Sequence, residues 1–179
     1  MESSPKGILA VITGDGKGKT TSAIGTAVRA LGYGYKVIML QFIKGDWHYG
    51  EIDGIARLDP DFVLERTGLG FYKIMDDDRP EEAHKEAARK GLERAEEVII
   101  SGEYQLVILD EINNAVHEGL LDIEDVLKVL EKKPPLIHLI CTGRNAHPKL
   151  VEMADLVSEV KEIKHPFKQG ILAQRGFDF

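Results

Sequence analysis

Thr13-Gly14-Asp15-Gly16-Lys17-Gly18-Lys19-Thr20-Thr21 lies between an apolar run, Ile8-Leu9-Ala10-Val11-Ile12, and a helical pattern from Ser22 to Leu31. Strand, glycine-rich turn, Lys-Thr and helix in that order make a phosphate cradle. Backbone N–H groups point inward and the helix N-terminus adds its dipole for an anion. Glycines at 14, 16 and 18 let the backbone close around oxygen atoms without side chains in the way. Lys19 brings a point charge and Thr20 a hydroxyl for Mg²⁺. The loop departs from the regular G-x-x-x-x-G-K-[ST] form, because Thr13 stands at the usual glycine position and Gly14 is only four residues before Gly18. The stretch from Gly14 to Thr21, Asp15 included, is expected to bind a nucleoside triphosphate.

Outward from this loop, apolar β-rich runs alternate with helical patterns. Strands are expected at Ile8–Thr13, Lys36–Phe42, Phe62–Leu64, Leu106–Leu109, Leu136–Cys141 and Leu156–Val160. Several are apolar on successive residues, as in a parallel sheet covered on both faces. Helices are expected over Thr20–Leu31, Pro80–Ser101, Asn113–Glu118, Ile123–Glu131 and Pro148–Ala154. The alternation argues for an α/β fold with a mainly parallel sheet, right-handed crossovers and helices on both faces. No repeat, linker or low-complexity tract interrupts it, so residues 1–179 read as a single domain. Ligands then sit at the carboxyl ends of the strands, where the phosphate loop falls.

Leu106-Val107-Ile108-Leu109-Asp110-Glu111 is an apolar strand ending in two acids. A carboxylate at that tip reaches Mg²⁺, directly or through water, opposite the Thr20 hydroxyl. Either Asp110 or Glu111 can be the one that touches the metal.

Composition narrows the partners. With 23 Lys and Arg against 30 Asp and Glu, the formal charge is −7, and no basic stripe interleaved with aromatics is present. Binding to nucleic acid through its phosphates wants the opposite balance, so no nucleic-acid partner is expected. No apolar run approaches the roughly 20 residues that cross a bilayer, and the start lacks signal-peptide character. Cys141 is the single cysteine and reads as a core thiol at a strand end. A cytoplasmic location without membrane attachment is expected.

Three further segments follow strand tips on the phosphate-loop side. They are Gln41-Phe42-Ile43-Lys44-Gly45-Asp46-Trp47-His48-Tyr49-Gly50-Glu51, Thr142-Gly143-Arg144-Asn145-Ala146-His147, and the chain end from Ile163 to Phe179. Each mixes aromatics, cations and glycines, and together they can wall a pocket for a large, flat, partly apolar ligand. With the phosphate loop, these pieces resemble the P-loop-type corrinoid adenosyltransferases, the ATP:cob(I)alamin or cob(I)yrinic acid a,c-diamide enzymes. The matching motifs are T-G-D-G-K-G-K-T-T, Q-F-I-K-G-x-W, L-D-E-I-N, T-G-R-N-A-H, and I-K-H-P-F followed by G-I-x-A-Q-x-G. The shortened phosphate loop is what that family looks like.

The resemblance implies a RecA-like P-loop domain that transfers the 5′-deoxyadenosyl group of ATP to Co(I) of a reduced corrinoid, with triphosphate leaving. It implies ATP held in reverse, with C5′ presented to the corrinoid, and Mg²⁺ as cofactor. It also implies a corrinoid reductase or other electron donor as partner, and a homodimer. Co(I) is already a strong nucleophile, so the protein's tasks are to place C5′ and to stabilise charge growing on the phosphates. Lys19 and Lys17 are the catalytic candidates for that, and Arg144, which follows a strand tip and can reach phosphate, is a nucleotide-binding candidate. Phe42, Trp47, Phe71, His165 and Phe167 are the corrinoid-binding candidates. Two features depart from the family pattern. About six residues precede the first strand where some members carry a helical extension over ATP, and the second aromatic after Phe71 falls on Tyr72 or Lys73. Rival readings are a P-loop hydrolase or kinase, and an ATP-sensing or corrinoid-carrying module without turnover.

Among the remaining residues, Trp47 serves equally well as a packing residue. Arg144 has a salt bridge to Asp155 or Glu152 as its structural alternative. His48, His147 and His165 read as capping or loop residues, His138 as a satisfied core histidine, and His84 and His117 as solvated helix positions. Lys19→Ala is expected to abolish ATP binding and transfer while the fold survives. Equilibrium nucleotide binding checks this, and near-wild-type affinity in the variant would overturn the phosphate-loop assignment.

Overall fold

Leu106, Val107, Ile108 and Leu109 are each 2% exposed or less, so successive side chains on both faces of one strand are buried. Such a strand needs cover on both sides, and a parallel sheet supplies it. The computed structural model describes residues 5–44, 48–70, 72 and 78–179. Its elements run β1 (Leu9–Thr13), α1 (Lys19–Leu31), β2 (Val37–Gln41), α2 (Gly50–Ala56), β3 (Phe62–Arg66), α3 (Glu81–Ser101), β4 (Leu106–Asp110), α4 (Ile112–His117), α5 (Ile123–Glu131), β5 (His138–Thr142), α6 (Pro148–Met153) and β6 (Leu156–Glu159). A 3-10 turn, Pro166–Gln169, follows. The strands form one six-stranded sheet in the order β3-β2-β4-β5-β1-β6, and every pairing is parallel.

Two cores lie on opposite faces of the sheet. On one, Ile12, Met39, Ile108 and Ile140 meet Ala23 and Ala27 of α1 and Ile55 of α2. On the other, Val11, Leu40, Leu109 and Leu139 meet α3 through α6. The faces of the helices follow from spacing. In α3, His84, Ala88, Leu92, Ala95 and Ile99 recur every three or four residues and are buried. Gly102, at φ 67°, ends that helix in the left-handed conformation. Asp122 starts α5 by accepting the Glu124 N–H at 2.7 Å. These crossovers bring the tips of β1, β2, β4 and β5 to one edge of the molecule.

Several expectations change. Helix α2 is absent from the sequence reading, since its two glycines and two acids give little helical signal. His84 is 3% exposed and packs against Tyr72, with ring centroids 5.2 Å apart, so it is a core residue and not a solvated one. His138 is satisfied as expected, accepting the Ile8 N–H at 3.1 Å, but it is half-buried and stacks against Tyr35 at the sheet margin. Burial, with Lys133 nearby, holds its pKa below the usual value. Cys141 is fully buried, and burial pushes its thiol up to about 12.

Gly91 sits where α3 crosses the tip of β2. A Cβ there would lie 2.7 Å from Thr67 Oγ1 and 3.1 Å from Phe42 Cε1. Thr67 is stiff at χ1 and its hydroxyl donates to Gln41 O at 3.1 Å, so it yields poorly. Helix propensity alone would make Gly91→Ala stabilising by about 1 kcal/mol. Overpacking outweighs it, and the variant is expected to lose about 1–3 kcal/mol. A denaturant titration checks the sign, and a gain in stability would refute the close packing.

Candidate active site

The phosphate loop takes its shape from two different causes. Gly14 has φ +100°, and a Cβ there would meet Val160 O at 2.5 Å. At Gly16 a Cβ would stand 2.8 Å from the Lys161 backbone, and the Gly16 N–H donates to Val160 O at 2.7 Å. These two glycines therefore let the loop lean on the end of β6. Gly18 differs: its φ is +120° and nothing lies within 4 Å of its missing Cβ. It opens the loop at the start of α1, where no side chain caps the helix and the first-turn N–H groups suit an anion.

Lys19 is buried, at 9% exposure, and donates to Gly16 O at 2.8 Å, which folds its ammonium back over the loop. Burial lowers its pKa, while the charge of Glu111 opposes that shift. Thr20 donates its hydroxyl to Asp110 Oδ1 at 2.9 Å. Asp110 is fully buried and takes more: Thr142 Oγ1 donates to the same oxygen at 2.6 Å and Gln41 Nε2 to the other at 3.1 Å. Both of its oxygens are therefore committed to fixing neighbours. Glu111 comes next at φ 64°, a left-handed conformation that costs a non-glycine residue about 1 kcal/mol or more. Its N–H donates to Thr142 Oγ1 at 3.0 Å, and the turn carries its carboxylate to the cavity. Burial first, and the charge of Asp110 second, push its carboxyl up to about 7.

That cavity is about 530 Å³, lined by Lys17, Lys19, Thr20, Thr21, Lys44, Glu51 and Glu111, with residues 176–179 as a further wall. Lys44, quoted in the sequence but given no role there, is a central cation of this site. Its Nζ lies 2.8 Å from Glu51 and 3.6 Å from Asp110 Oδ2, and 5.2 Å from the Tyr49 ring centroid. Burial pulls its pKa down, but Asp110 and Glu51 outweigh it and hold it above the usual value. The Tyr49 hydroxyl is buried and finds no hydrogen-bond partner among the described residues. Lysine after a strand tip was the available signal; Glu51 becomes its neighbour through α2 and Asp110 through the β2–β4 pairing.

Lys17 lies on the rim, 3.0 Å from Asp178 and 5.6 Å from the Phe177 ring centroid. Arg144 is exposed and lines a smaller charged recess with Asp15, Glu159, Lys161, Glu162 and Lys168. Asp155 instead pairs with Lys6 and accepts the Leu9 N–H at 2.9 Å, so the alternative of an Arg144–Asp155 bridge does not form. Phe42 is 2% exposed and belongs to the core against α3, which removes it from any ligand-facing wall. Tyr72 is likewise core. Trp47, Phe71 and Lys73 lie outside the described residues. His165 and His147 cap turns, accepting from Phe167 N and Lys149 N at 3.2 Å each, and Phe167 is 69% exposed.

Oxygen ligands suit Mg²⁺, which is usually held by one or two carboxylates together with phosphates. Thr20, Asp110 and Glu111 fit that donor set, while among the described residues no three His, Cys, Asp or Glu side chains gather as a metal cage. Nor does any described helix have the length and apolarity to cross a membrane.

The parallel sheet and its glycine-rich first loop define a RecA-like, P-loop α/β fold. The flagellar accessory protein FlaH from Methanocaldococcus jannaschii has the same fold, with a TM-score of 0.54 at 14% identity over 87% of this chain and 71% of its own. Sequence comparison goes further: the family model for ATP:corrinoid adenosyltransferase BtuR/CobO/CobP matches residues 5–179. Corrinoid adenosyltransferase from Escherichia coli K12 is 38% identical, covering 97% of this chain and 86% of its own length. The Pseudomonas aeruginosa enzyme of that name is 40% identical over 97% and 84%. The chain belongs to the ATP:corrinoid adenosyltransferase family.

Glu111 gives a pH signature. Its folded-state pKa is raised, so the folded protein holds more protons than the unfolded chain between about 4.5 and 7, and stability falls as pH rises through that window. Glu111→Gln is expected to stabilise the ligand-free protein by about 1–3 kcal/mol at pH 8 and by about a quarter of that at pH 5. Urea melts at both pH values check it, and equal effects at both would refute the assignment.

Proposed function

We propose that this chain transfers the 5′-deoxyadenosyl group of ATP to Co(I) of a reduced corrinoid. In this reading the cobalt electron pair forms the bond to C5′, the C5′–oxygen bond breaks, and triphosphate leaves with the electron pair of that broken bond. The supporting observation is the gathering of cations around one backbone-lined loop. Lys17, Lys19 and Lys44 line a single cavity, and Arg144 is near enough for its charge to act on Lys19. A leaving group of three linked phosphates needs that spread of positive charge and fixed N–H donors. Lys19 opposes charge growing on the phosphates, with Lys17 at the rim. Thr20, Asp110 and Glu111 would hold Mg²⁺, which supplies neutralising charge to the phosphates when bound. Asp110 does so by holding the Thr20 hydroxyl in place, while Glu111 faces the ligand.

The corrinoid must arrive reduced, so the reading includes a corrinoid reductase or other electron donor as partner. It also includes a homodimer, for which the exposed edge strand β6, with Leu156 49% and Val157 42% exposed, offers an apolar surface. A reducing, cytoplasmic setting suits the single buried thiol. His165 and Phe167, with Trp47 and Phe71, remain the proposed corrinoid contacts.

A second reading has one observation in its favour. A carboxyl raised to about 7, as in Glu111, is suited to general-base work on a water, which would make the site a phosphohydrolase. Product analysis separates the two. With ATP, Mg²⁺ and chemically reduced cobalamin, inorganic triphosphate is expected to form one for one with the adenosylated corrinoid. ADP and phosphate released at a rate indifferent to corrinoid would replace transfer with hydrolysis.

A further inference from the structure

Residues 174–179 fold into a turn of their own. The Asp178 and Phe177 N–H groups donate to Gln174 O at 2.7 and 3.2 Å, and the Gly176 N–H donates to Phe179 O at 2.8 Å. The Gln174 N–H returns to Asp178 Oδ2 at 2.8 Å. One oxygen of Asp178 is thus held by the turn's own backbone, and the other faces Lys17 Nζ at 3.0 Å. The turn reaches across the cavity mouth, because a Cβ on Gly50, at the start of α2, would stand 3.8 Å from the Phe179 carbonyl carbon. The Gln174 N–H first, and Lys17 second, hold the Asp178 carboxyl below the usual range.

Lys17 is a phosphate-loop residue whose ammonium is directed at a carboxylate of the same chain. A carboxylate and a phosphate oxygen are interchangeable partners for such a group. We propose that Asp178 is a built-in counter-ion that competes with the triphosphate chain for Lys17. The C-terminal turn then weakens triphosphate binding and eases its departure after transfer. This inference rests on the triphosphate-binding reading of the loop, and not on the identity of the group that accepts the adenosyl moiety.

The test is calorimetric binding of inorganic triphosphate with Mg²⁺ to the full chain, its Asp178→Asn and Lys17→Ala variants, and the double variant. The pair is partly solvated, so its contribution is modest. Asp178→Asn is expected to tighten triphosphate binding about two- to five-fold. The gain should shrink at high salt and vanish in the Lys17→Ala background. In steady state the same variant should show a lower KM for ATP and stronger inhibition by added triphosphate. Unchanged or weaker binding by Asp178→Asn, or an equal gain without Lys17, would overturn the proposal. Hydrogen exchange on the wild-type chain gives an arm free of folding effects: residues 174–179 should exchange faster once triphosphate is added, and unchanged or slower exchange would overturn it. Failure of the wild-type chain to bind triphosphate at all is a different result and would strike the phosphate-loop reading instead.

Discussion

The carboxylate of Asp110 holds the site together. It is fully buried at the tip of β4 and accepts from Thr20 of α1, Thr142 of β5 and Gln41 of β2, with Lys44 at 3.6 Å. Three segments distant in sequence are therefore referenced to one pair of oxygen atoms. A buried charge is tolerated only when paired and hydrogen-bonded, and here each bond that satisfies Asp110 also fixes a residue at the phosphate loop or beside it. The same hydroxyl of Thr142 that donates to Asp110 accepts from the Glu111 N–H. The left-handed turn that carries Glu111 to the cavity is thus anchored through the same network.

Two acids that are neighbours in sequence end in opposite conditions. Asp110 is committed to hydrogen bonds on both oxygens, whereas Glu111 is desolvated beside another negative charge and keeps its proton to about 7. Lys19 and Lys44 face the same cavity and are pulled in opposite directions, Lys19 downward by burial and Lys44 upward by its acids. Titratable groups shifted in opposite senses around one cavity mark it as the functional-site candidate of the fold.

Most of the architecture was legible because buried parallel strands advertise themselves as unbroken apolar runs. The strand tips at Thr13, Asp110 and Thr142 followed from that, and with them the side of the molecule that holds the site. What could not be read depends on contacts made between elements. Helix α2 has weak local propensity and is stabilised by burying Ile55 against the sheet. Lys44 gains its meaning only because α2 brings Glu51 to it. His84 reads as a solvated helix position, although its three-to-four spacing with Ala88, Leu92 and Ala95 marks the buried face. Phe42 stands at a strand end, where sequence cannot tell the core side from the open side. The closing turn at residues 174–179 meets the phosphate loop through tertiary packing that no local pattern announces.

The moulding of Gly14 and Gly16 against Val160 and Lys161 has a consequence for how the domain comes into being. A growing chain that has emerged as far as α6 already contains every residue of the phosphate loop and five of the six strands. It still lacks the surface against which the loop is bent, since β6 pairs with β1 only after the rest of the sheet can form. Synthesis from the N-terminus thus makes the bent shape of this loop one of the last features that the folding chain acquires.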